Sequence, residues 1–325
     1  MPNSSGLMNA SLSVAIPRYG GWNAFSVCET LAAAIGILLN GLVILVCLTN
    51  KRMHTPFTAY LLAVTVSNFL ILCVFTPLDV ISSVVTLRQY GRLACHIYLY
   101  FAYVFGGVLF NAHVLITVNR VWAITFPLSY RNHHSLPVAG ALVAGMVAYV
   151  HAVCLPVVVI DALYYRPSLT RYGCVLNVEA QLTWTICLQF IIYIFPVVII
   201  ALAYPFLWYK QRQRTTKKQG NSTDASLSEA ASLTAKPPPR APAKRQHTSG
   251  FIVLTVVTVI IMVSFAPTQI VFTASLLGVQ RGLEIPGMIA AFLQLIQPAT
   301  DPVLFMLCLG NLRAGVGQLL GWKRA

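Results

Sequence analysis

Few side chains in this sequence combine reactive chemistry with a placement that would use it. Arg120 and Asp301 are the strong charges inside long apolar stretches, and Asp79 stands near the end of another. A charge inside a bilayer is costly unless it faces a protein interior or a water-filled cavity, so these positions are functional candidates. For Arg120 taken alone, a side chain that reaches the membrane surface from a helix end is the simpler interpretation.

No pattern in the sequence predicts catalysis. The eight cysteines include no CxxC pair and no metal-ligand spacing, and His113 and His151 are isolated from each other. The sequence contains no HExxH or GxSxG motif and no cluster of His and Asp residues. We therefore expect no enzyme activity, no cofactor and no metal site. The two histidines are interpreted as satisfied core or interface residues.

Composition places these residues in a membrane protein. Of the 325 residues, 57% are hydrophobic and 9% are charged, whereas a soluble domain carries about 25% charged residues. A net charge of +14 would suggest a nucleic-acid partner in a soluble protein. In a membrane protein the loop charges set the topology instead, so we expect no nucleic-acid partner.

Seven apolar runs are long enough to cross a bilayer, where the backbone must satisfy its own hydrogen bonds as a helix. They are 25–49, 57–82, 93–123, 137–160, 183–209, 250–275 and 285–308. Pro196 and Pro267 are expected to kink the fifth and sixth runs. The sequence predicts an all-α membrane protein with a seven-transmembrane helix bundle over residues 25–309.

The loop charges predict the orientation of the bundle. Lysine and arginine are concentrated after runs one, three and five and in the C-terminal tail, and lysine is absent from the opposite side. This excess predicts an extracellular N-terminus, a cytosolic C-terminus and a place in the plasma membrane. Residues 1–24 should be extracellular without a cleaved signal peptide. Asn3 and Asn9 begin candidate glycosylation triplets there.

Two further segments have distinct compositions. Residues 210–249 are rich in Lys, Gln, Ser, Thr and Pro, which predicts a disordered third cytosolic loop. Residues 310–325 are predicted to form a short amphipathic helix on the inner leaflet and a short cytosolic tail, with an unstructured tail as the alternative. The helix prediction rests on apolar residues at helical spacing, namely Leu312, Val316, Leu319 and Leu320.

These features together resemble the rhodopsin-like (class A) G-protein-coupled receptors over nearly the whole chain. The resemblance rests on motifs in a fixed order: Leu39-Asn40-Gly41, Pro77, Asn119-Arg120-Val121, Pro196, Tyr204, Phe265-Ala266-Pro267 and Asp301-Pro302-Val303-Leu304-Phe305. It implies a disulfide between Cys95 and Cys174 that ties the third helix to the second extracellular loop. It also implies that Arg120, Tyr204 and the basic ends of helices five and six form the surface that binds a heterotrimeric G protein.

Asn119 departs from the family pattern beside the arginine. It replaces the acid that normally pairs with Arg120, and His247 supplies no carboxylate from helix six. We therefore predict a weakened inactive-state lock and raised basal activity. Phe265 and Phe305 replace the usual tryptophan and tyrosine, which weakens the expectation that activation follows the common pathway in detail.

One acid and one amide are exchanged between helices two and seven relative to the family pattern. Asn68 stands where the family usually has aspartate, and Asp301 stands where it usually has asparagine. One buried carboxylate is thus kept but moved, and it needs hydrogen bonds, an ion or a proton. Its expected partners are Asn40, Asn68 and Gln297. The family's sodium site is in doubt, because its main ligand position is neutral here.

The outer half of the predicted bundle offers one acid among aromatic rings and amides, which suits an apolar ligand with a few polar anchors. The candidate ligand-binding residues are Asp79, Tyr98, Phe101, Phe105, Gln189, Tyr193, Phe265, Gln269, Phe272 and Gln294. Ordinary helix packing is the alternative explanation of such an aromatic stripe. Ala102 occupies the position where amine receptors carry aspartate, which argues against a biogenic amine held there. The seventh run contains no lysine, which excludes a retinal Schiff base.

Asp79 is the best single anchor for a ligand, because it is an acid near the mouth of the bundle. Pairing with Arg88 or Arg92 is the alternative. Asp161 and Glu179 are expected on the surface of the extracellular loops.

The resemblance implies a receptor that passes the signal of an extracellular small molecule, lipid or peptide to a heterotrimeric G protein. The tail from Val303 contains no Ser or Thr, so arrestin would have to use the third loop. The basic loop would also favour anionic membrane lipid. A signalling-impaired partner or decoy remains an alternative, as does a transporter, although the sequence shows no internal repeat.

Overall fold

The computed structural model describes residues 21–84, 91–169, 173–203, 205–210, 213, 262–279 and 282–321. The secondary structure of these residues is helical and includes no strand. Several predictions fall outside them. They are the glycosylation triplets at Asn3 and Asn9, the role of Tyr204, and the third cytosolic loop apart from Lys210 and Gln213.

Among the described residues, six helices are long and apolar enough to span a membrane. They are span 1 (Ala24–Thr49), span 2 (Pro56–Val84), span 3 (Arg92–Thr125), span 4 (Leu136–Tyr165), span 5 (Glu179–Lys210) and span 7 (Glu284–Cys308). Span 6 is described over Met262–Leu276. The six full-length helices begin and end close to the predicted runs, and the predicted start of span 6 lies outside the described residues. The predicted seven-helix bundle is confirmed.

Local sequence explains where the first spans begin. The Asn23 side chain accepts a hydrogen bond of 2.9 Å from the Ser26 backbone N–H, and the Ser26 hydroxyl accepts one of 3.0 Å from the Asn23 N–H. This reciprocal cap satisfies two N–H groups that the first turn leaves open. Span 2 begins with Thr55 as its cap and Pro56 in its first turn, where a proline lacks only an unused donor.

Span 3 is the most deeply buried of the six full-length spans. It packs against spans 2, 4 and 5, while span 1 packs against spans 2 and 7 and span 6 against span 7. Gly107 permits the close approach on one side, because a Cβ there would lie 2.9 Å from Ile192 and 3.0 Å from Val150. Gly36 does the same for span 1, where a Cβ would lie 2.6 Å from Leu72.

Here the outer end of the bundle is the end that carries Cys95, and the inner end is the opposite one. Among the described residues, four segments near the outer end widen into π-helical turns, which often mark functional sites. They are Ile71–Phe75, Phe101–Phe105, Asp161–Tyr165 and Gln189–Ile194. The widened turn in span 5 lies just before Pro196, where a bend was expected. In span 6, Phe265 precedes a helix that begins at Ala266 with Pro267 in its first turn.

Two short helices flank the inner ends of the spans. The loop helix Pro127–His133 follows span 3, and the C-terminal helix Gly310–Leu319 follows span 7. The C-terminal helix lies where an amphipathic helix was predicted, and its Leu312 is fully buried. Gly315 faces span 1 so closely that a Cβ would lie 2.5 Å from Val46. The helix is therefore packed onto the bundle, with Leu319 half exposed on its other side.

The beginning of span 3 is covalently tied to the loop that follows span 4. Cys95 and Cys174 form a disulfide with a Cα–Cα distance of 5.4 Å, so the disulfide prediction is confirmed. The placement of Asp161 on the loop surface is wrong. Its carboxylate is completely buried, forms an ion pair with the Arg166 guanidinium and accepts a hydrogen bond of 2.8 Å from the Asn177 N–H. A buried acid requires such partners, and the loop folds back over the end of span 4 to provide them.

Candidate functional site

A cavity of about 290 Å³ lies between the outer halves of the spans. Its lining includes every candidate ligand-binding residue except Phe105. Phe105 stacks on Phe101 with ring centroids 4.6 Å apart and approaches His151 of span 4, so it faces the contact between spans 3 and 4. Phe105 does not line this cavity, so the expectation that it lines the pocket is wrong.

Two carboxyl groups stand together at one end of the cavity. Asp79 of span 2 accepts a hydrogen bond of 2.7 Å from the Tyr98 hydroxyl of span 3. The second carboxyl belongs to Glu29 of span 1, which is only 2% exposed, lines the same cavity and interacts electrostatically with Asp79. Among the described residues Asp79 forms no ion pair with Arg92, and Arg88 lies outside them.

Sequence reasoning missed Glu29. The signal was available, because a glutamate four residues into an apolar run of spanning length is itself an intramembrane acid. Its partner could not be read from the sequence, since span 1 is apolar on all sides and its periodicity does not show which face meets span 2. The outer cavity therefore carries an acidic pair where a single acid was expected.

The opposite end of the cavity is uncharged and polar. The Gln189 side-chain amide of span 5 donates hydrogen bonds to the side-chain carbonyl oxygen of Gln269 at 2.8 Å and to the Thr273 hydroxyl at 3.1 Å. Tyr193 also lines the cavity, and its hydroxyl donates to the Tyr103 carbonyl at 2.9 Å. These bonds link spans 3, 5 and 6 and leave the cavity with one acidic and one amide-bearing end.

The floor of the cavity is aromatic and leads toward the membrane interior. Phe265 is 2% exposed, and its ring centroid lies 4.1 Å from that of Phe110 and 6.0 Å from that of His113. Because Phe265 both lines the cavity and contacts span 3, a displacement at the cavity floor would be transmitted to that helix.

Below the floor, Asp301 is surrounded by partners from three spans. Asn68 donates a hydrogen bond of 2.8 Å to its carboxylate, and the Gln297 amide donates another. His113 Nε2 lies 3.4 Å from the same carboxylate, while its Nδ1 is 2.8 Å from the Leu109 carbonyl oxygen. Sequence reasoning interpreted His113 as a satisfied core residue and did not identify Asp301 as the group it faces.

Asn40 was expected to bind the Asp301 carboxylate, but its side chain binds backbone carbonyl oxygens. Its amide donates hydrogen bonds of 2.8 Å each to the carbonyl oxygens of Gly36 and Pro298. It therefore joins span 1 to the backbone of span 7 one turn before Asp301, and it does not donate to the carboxylate. The physical reason is the proline at position 302, which frees the Pro298 carbonyl from its helical hydrogen bond.

At the inner end of span 3, the Arg120 guanidinium lies over the Phe57 ring, 3.7 Å from its centroid. Its neighbour Asn119 is buried, and neither polar atom of its side chain has a hydrogen-bond partner in the described residues. No ion pair to Arg120 is present among those residues. The arginine is thus held by a cation–π contact in place of an acid.

A cluster of rings lies beside this arginine at the inner surface. The Tyr60 hydroxyl is hydrogen-bonded to His134 Nε2 at 2.9 Å, and the His134 ring stacks on Tyr130 with centroids 4.4 Å apart. Trp122 packs against both Tyr130 and His134. Burial lowers the pKa of His134 below its ordinary value. The loop between spans 3 and 4 is therefore anchored to span 2 through His134.

Within the part of the chain that the structure describes, no three His, Cys, Asp or Glu side chains are placed to hold a metal ion. The described residues form three features along the bundle. A cavity opens on one side, a buried polar cluster lies in the middle, and an arginine without an acidic partner lies at the other end.

Comparison with known proteins agrees with this description. The sequence matches the family described as "7 transmembrane receptor (rhodopsin family)" over residues 39–305. Individual relatives are distant. The chain is 22% identical over 181 residues to the 5-hydroxytryptamine receptor 1D of Cavia porcellus, covering 55% of this chain and 46% of that protein. It is 24% identical over 176 residues to the cholecystokinin receptor of Xenopus laevis, covering 52% of this chain and 39% of that one.

A shorter match reaches higher identity. The chain is 34% identical over 108 residues to olfactory receptor 10H28 of Mus musculus, covering 33% of this chain and 34% of that protein. Each of these matches spans about half or less of the relative's length.

Proposed function

This chain belongs to the rhodopsin family of seven-transmembrane receptors, and we propose that it transmits the signal of an extracellular ligand to a heterotrimeric G protein. Members of that family are receptors and not enzymes, and the chain is a multi-pass membrane protein. We further propose that it lies in the plasma membrane with its N-terminus outside, as the loop charges favour.

The observation that carries this proposal is the continuity from the cavity to the membrane interior. Phe265 lines the cavity and packs near His113, and His113 faces the buried Asp301 carboxylate. A ligand that prefers one position of Phe265 would therefore bias the arrangement of spans 3, 6 and 7. Such a ligand shifts the balance only to the extent that it binds one arrangement more tightly.

The inner end of span 3 is the proposed coupling surface. Arg120 is held by Phe57 and has no acidic partner among the described residues, so less free energy opposes its release than a buried ion pair would supply. A desolvated cation–π contact contributes about 2 kcal/mol, whereas removing one partner of a buried ion pair costs about 3–5 kcal/mol. We infer that the inactive arrangement is weakly held and that basal signalling is raised.

Basal nucleotide exchange on a panel of G-protein alpha subunits tests this proposal, in membranes that express the chain at matched surface levels. Wild type should accelerate exchange on at least one subunit, and Arg120→Ala should abolish the effect. Arg52→Ala is the matched control, since Arg52 is an exposed arginine after span 1. Exchange that is unchanged by Arg120→Ala would contradict the coupling role, and the absence of exchange would contradict raised basal activity.

A second candidate function is a seven-helix partner protein that has lost signalling. The observation that favours it is Phe305, a buried residue of span 7 without the hydroxyl that the family usually has there. Under this alternative, no agonist would produce exchange in the wild type, whereas the chain would still reach the surface and associate with other receptors.

Arrestin is a further proposed partner, through the hydroxyl residues of the third loop. These residues are Thr215, Thr216, Ser222, Thr223, Ser226, Ser228 and Ser232. The basic residues of the same loop would favour anionic lipid of the inner leaflet. Deletion of 215–234 should remove arrestin recruitment, and recruitment that survives the deletion would contradict this role.

A further inference from the structure

Glu29 and Asp79 line the outer cavity without a positively charged partner among the described residues. Both side chains line the cavity, and Glu29 comes from span 1 while Asp79 comes from span 2. One carboxylate oxygen of Glu29 is buried without a hydrogen-bond partner among the described residues. Asp79 receives one hydrogen bond from Tyr98, which neutralises no charge.

Two adjacent carboxyl groups in apolar surroundings cannot both be ionised without a cation, because two neighbouring negative charges repel each other. Alone, they would share a proton and hold a single negative charge. A buried charge remains costly unless an opposite charge and hydrogen-bond donors face it. Neither ion pair found among the described residues involves this pair of acids.

A protonated amine has the chemistry that this pair lacks. An ammonium group carries one positive charge and three N–H donors, enough to bond to both carboxylates at once. A metal ion fits less well, since the described lining of the cavity contains two acidic side chains and hard cations take six or more oxygen ligands.

The rest of the cavity defines the body of the ligand. Phe75, Phe101 and Phe272 provide apolar walls of the cavity. The volume of about 290 Å³ lies at the lower end of small-molecule sites, which measure about 300–1,000 Å³. The ligand should therefore be compact, with one cationic end and an aromatic or aliphatic body.

We propose that Glu29 and Asp79 bind the protonated amine of a compact apolar ligand. This inference rests on the proposed receptor function and names the ligand class of the same cavity. Ala102 in span 3 offers no salt bridge, but the acidic pair supplies the negative charge from spans 1 and 2. Tyr98 is a positioning residue, because its hydrogen bond orients the Asp79 carboxylate toward the cavity.

The test uses full-length purified protein and its thermal unfolding midpoint. The probes are phenethylamine and its uncharged counterpart 2-phenylethanol, each titrated to millimolar concentrations, with calcium chloride as a separate probe. Phenethylamine should raise the midpoint in a saturable manner, whereas 2-phenylethanol should have a much smaller effect. Equal effects of the two organic probes, no effect of phenethylamine, or a response to calcium alone would each overturn the proposal.

Substitutions of the two acids test whether the phenethylamine response arises at Glu29 and Asp79. Glu29→Gln and Asp79→Asn keep the size of each side chain but replace an acid with a neutral amide, so each should weaken the phenethylamine response about tenfold or more. Glu284→Gln is the matched control, because Glu284 is an exposed acid at the start of span 7 and does not line the cavity. A response that survives the double variant Glu29→Gln/Asp79→Asn would refute the site.

The same preparation separates this inference from the proposed function. Nucleotide exchange that depends on Arg120, together with no phenethylamine response, would retain the receptor and reject the amine site. A charge-dependent phenethylamine response without any exchange would retain the amine site and reject the coupling.

Discussion

Asn68 and Asp301 are joined across spans 2 and 7 by a hydrogen bond of 2.8 Å, although they are 233 residues apart in the chain. Asn68 is fully buried and Asp301 is 2% exposed. Gln297 and His113 face the same carboxylate, so its position is defined from spans 2, 3 and 7. The exchange of acid and amide between the two spans thus preserves a direct contact.

This contact predicts that Asn68→Asp is destabilising and that Asp301→Asn rescues it. The single substitution places two carboxyl groups in contact, so one of them must bind a proton, and it removes the amide donor. The expected cost is about 1–3 kcal/mol. The double variant restores one acid and one amide and should regain most of the thermal stability and surface expression.

The comparison is a double-mutant cycle on unfolding midpoints, and purely additive effects would refute the coupling. Asn111→Asp provides the control. Asn111 is a buried amide that donates to the Gly107 and Ile192 carbonyls on the side of span 5, so Asp301→Asn should not rescue it.

The unpartnered Asn119 predicts that an acid at this position would lower basal signalling. Asn119→Asp would place a carboxylate beside Arg120 and strengthen the inactive arrangement by about 1 kcal/mol, which is about fivefold in basal exchange. Asn119→Ala removes the amide without adding a charge and should leave exchange near that of wild type. Equal exchange in the two variants at matched surface expression would contradict the weakened lock.

The C-terminal helix predicts opposite effects for two glycines that are two residues apart. Gly315→Ala would place a Cβ 2.5 Å from Val46 and 3.2 Å from Asn50, so the helix must move away from span 1. Overpacking of this kind costs about 1–3 kcal/mol. Gly317→Ala meets nothing within 4 Å and should stabilise the helix by up to about 1 kcal/mol. Protease accessibility of the C-terminal helix measures both, and equal behaviour would contradict the packed placement.

The ring cluster at the inner surface predicts a pH-dependent stability. Because burial lowers the pKa of His134, the folded protein binds this proton less readily than the unfolded chain does. The contribution is fully present above the unfolded pKa of about 6.5 and is lost as the pH falls through that value toward the folded pKa.

The unfolding midpoint of wild type should therefore fall more between pH 7.5 and pH 5.5 than that of His134→Gln. His133→Gln is the matched control, since His133 is an exposed neighbour on the loop helix and should retain the wild-type pH profile. A His134→Gln profile that matches wild type would assign the pH dependence to other groups.

The sequence by itself determined the spans of this protein and its class. A bilayer requires runs of about 20 apolar residues that satisfy their own backbone, so length and hydropathy suffice to locate the helices. The short motifs supported the resemblance to a receptor family, and the cysteines beside the outer loops indicated the disulfide. Asp79 and Asp301 could be proposed as site residues because acids are rare in such runs, and Phe265 because it belongs to a motif that contains Pro267.

Only the tertiary structure decided which side chains meet. The spans are apolar on nearly all faces, so their periodicity does not fix how each helix is rotated about its axis. That rotation places Glu29 beside Asp79, turns Phe105 away from the cavity and brings His113 to Asp301. Partners lie far apart in the chain, and their contact depends on the packing of whole helices, which no local pattern encodes.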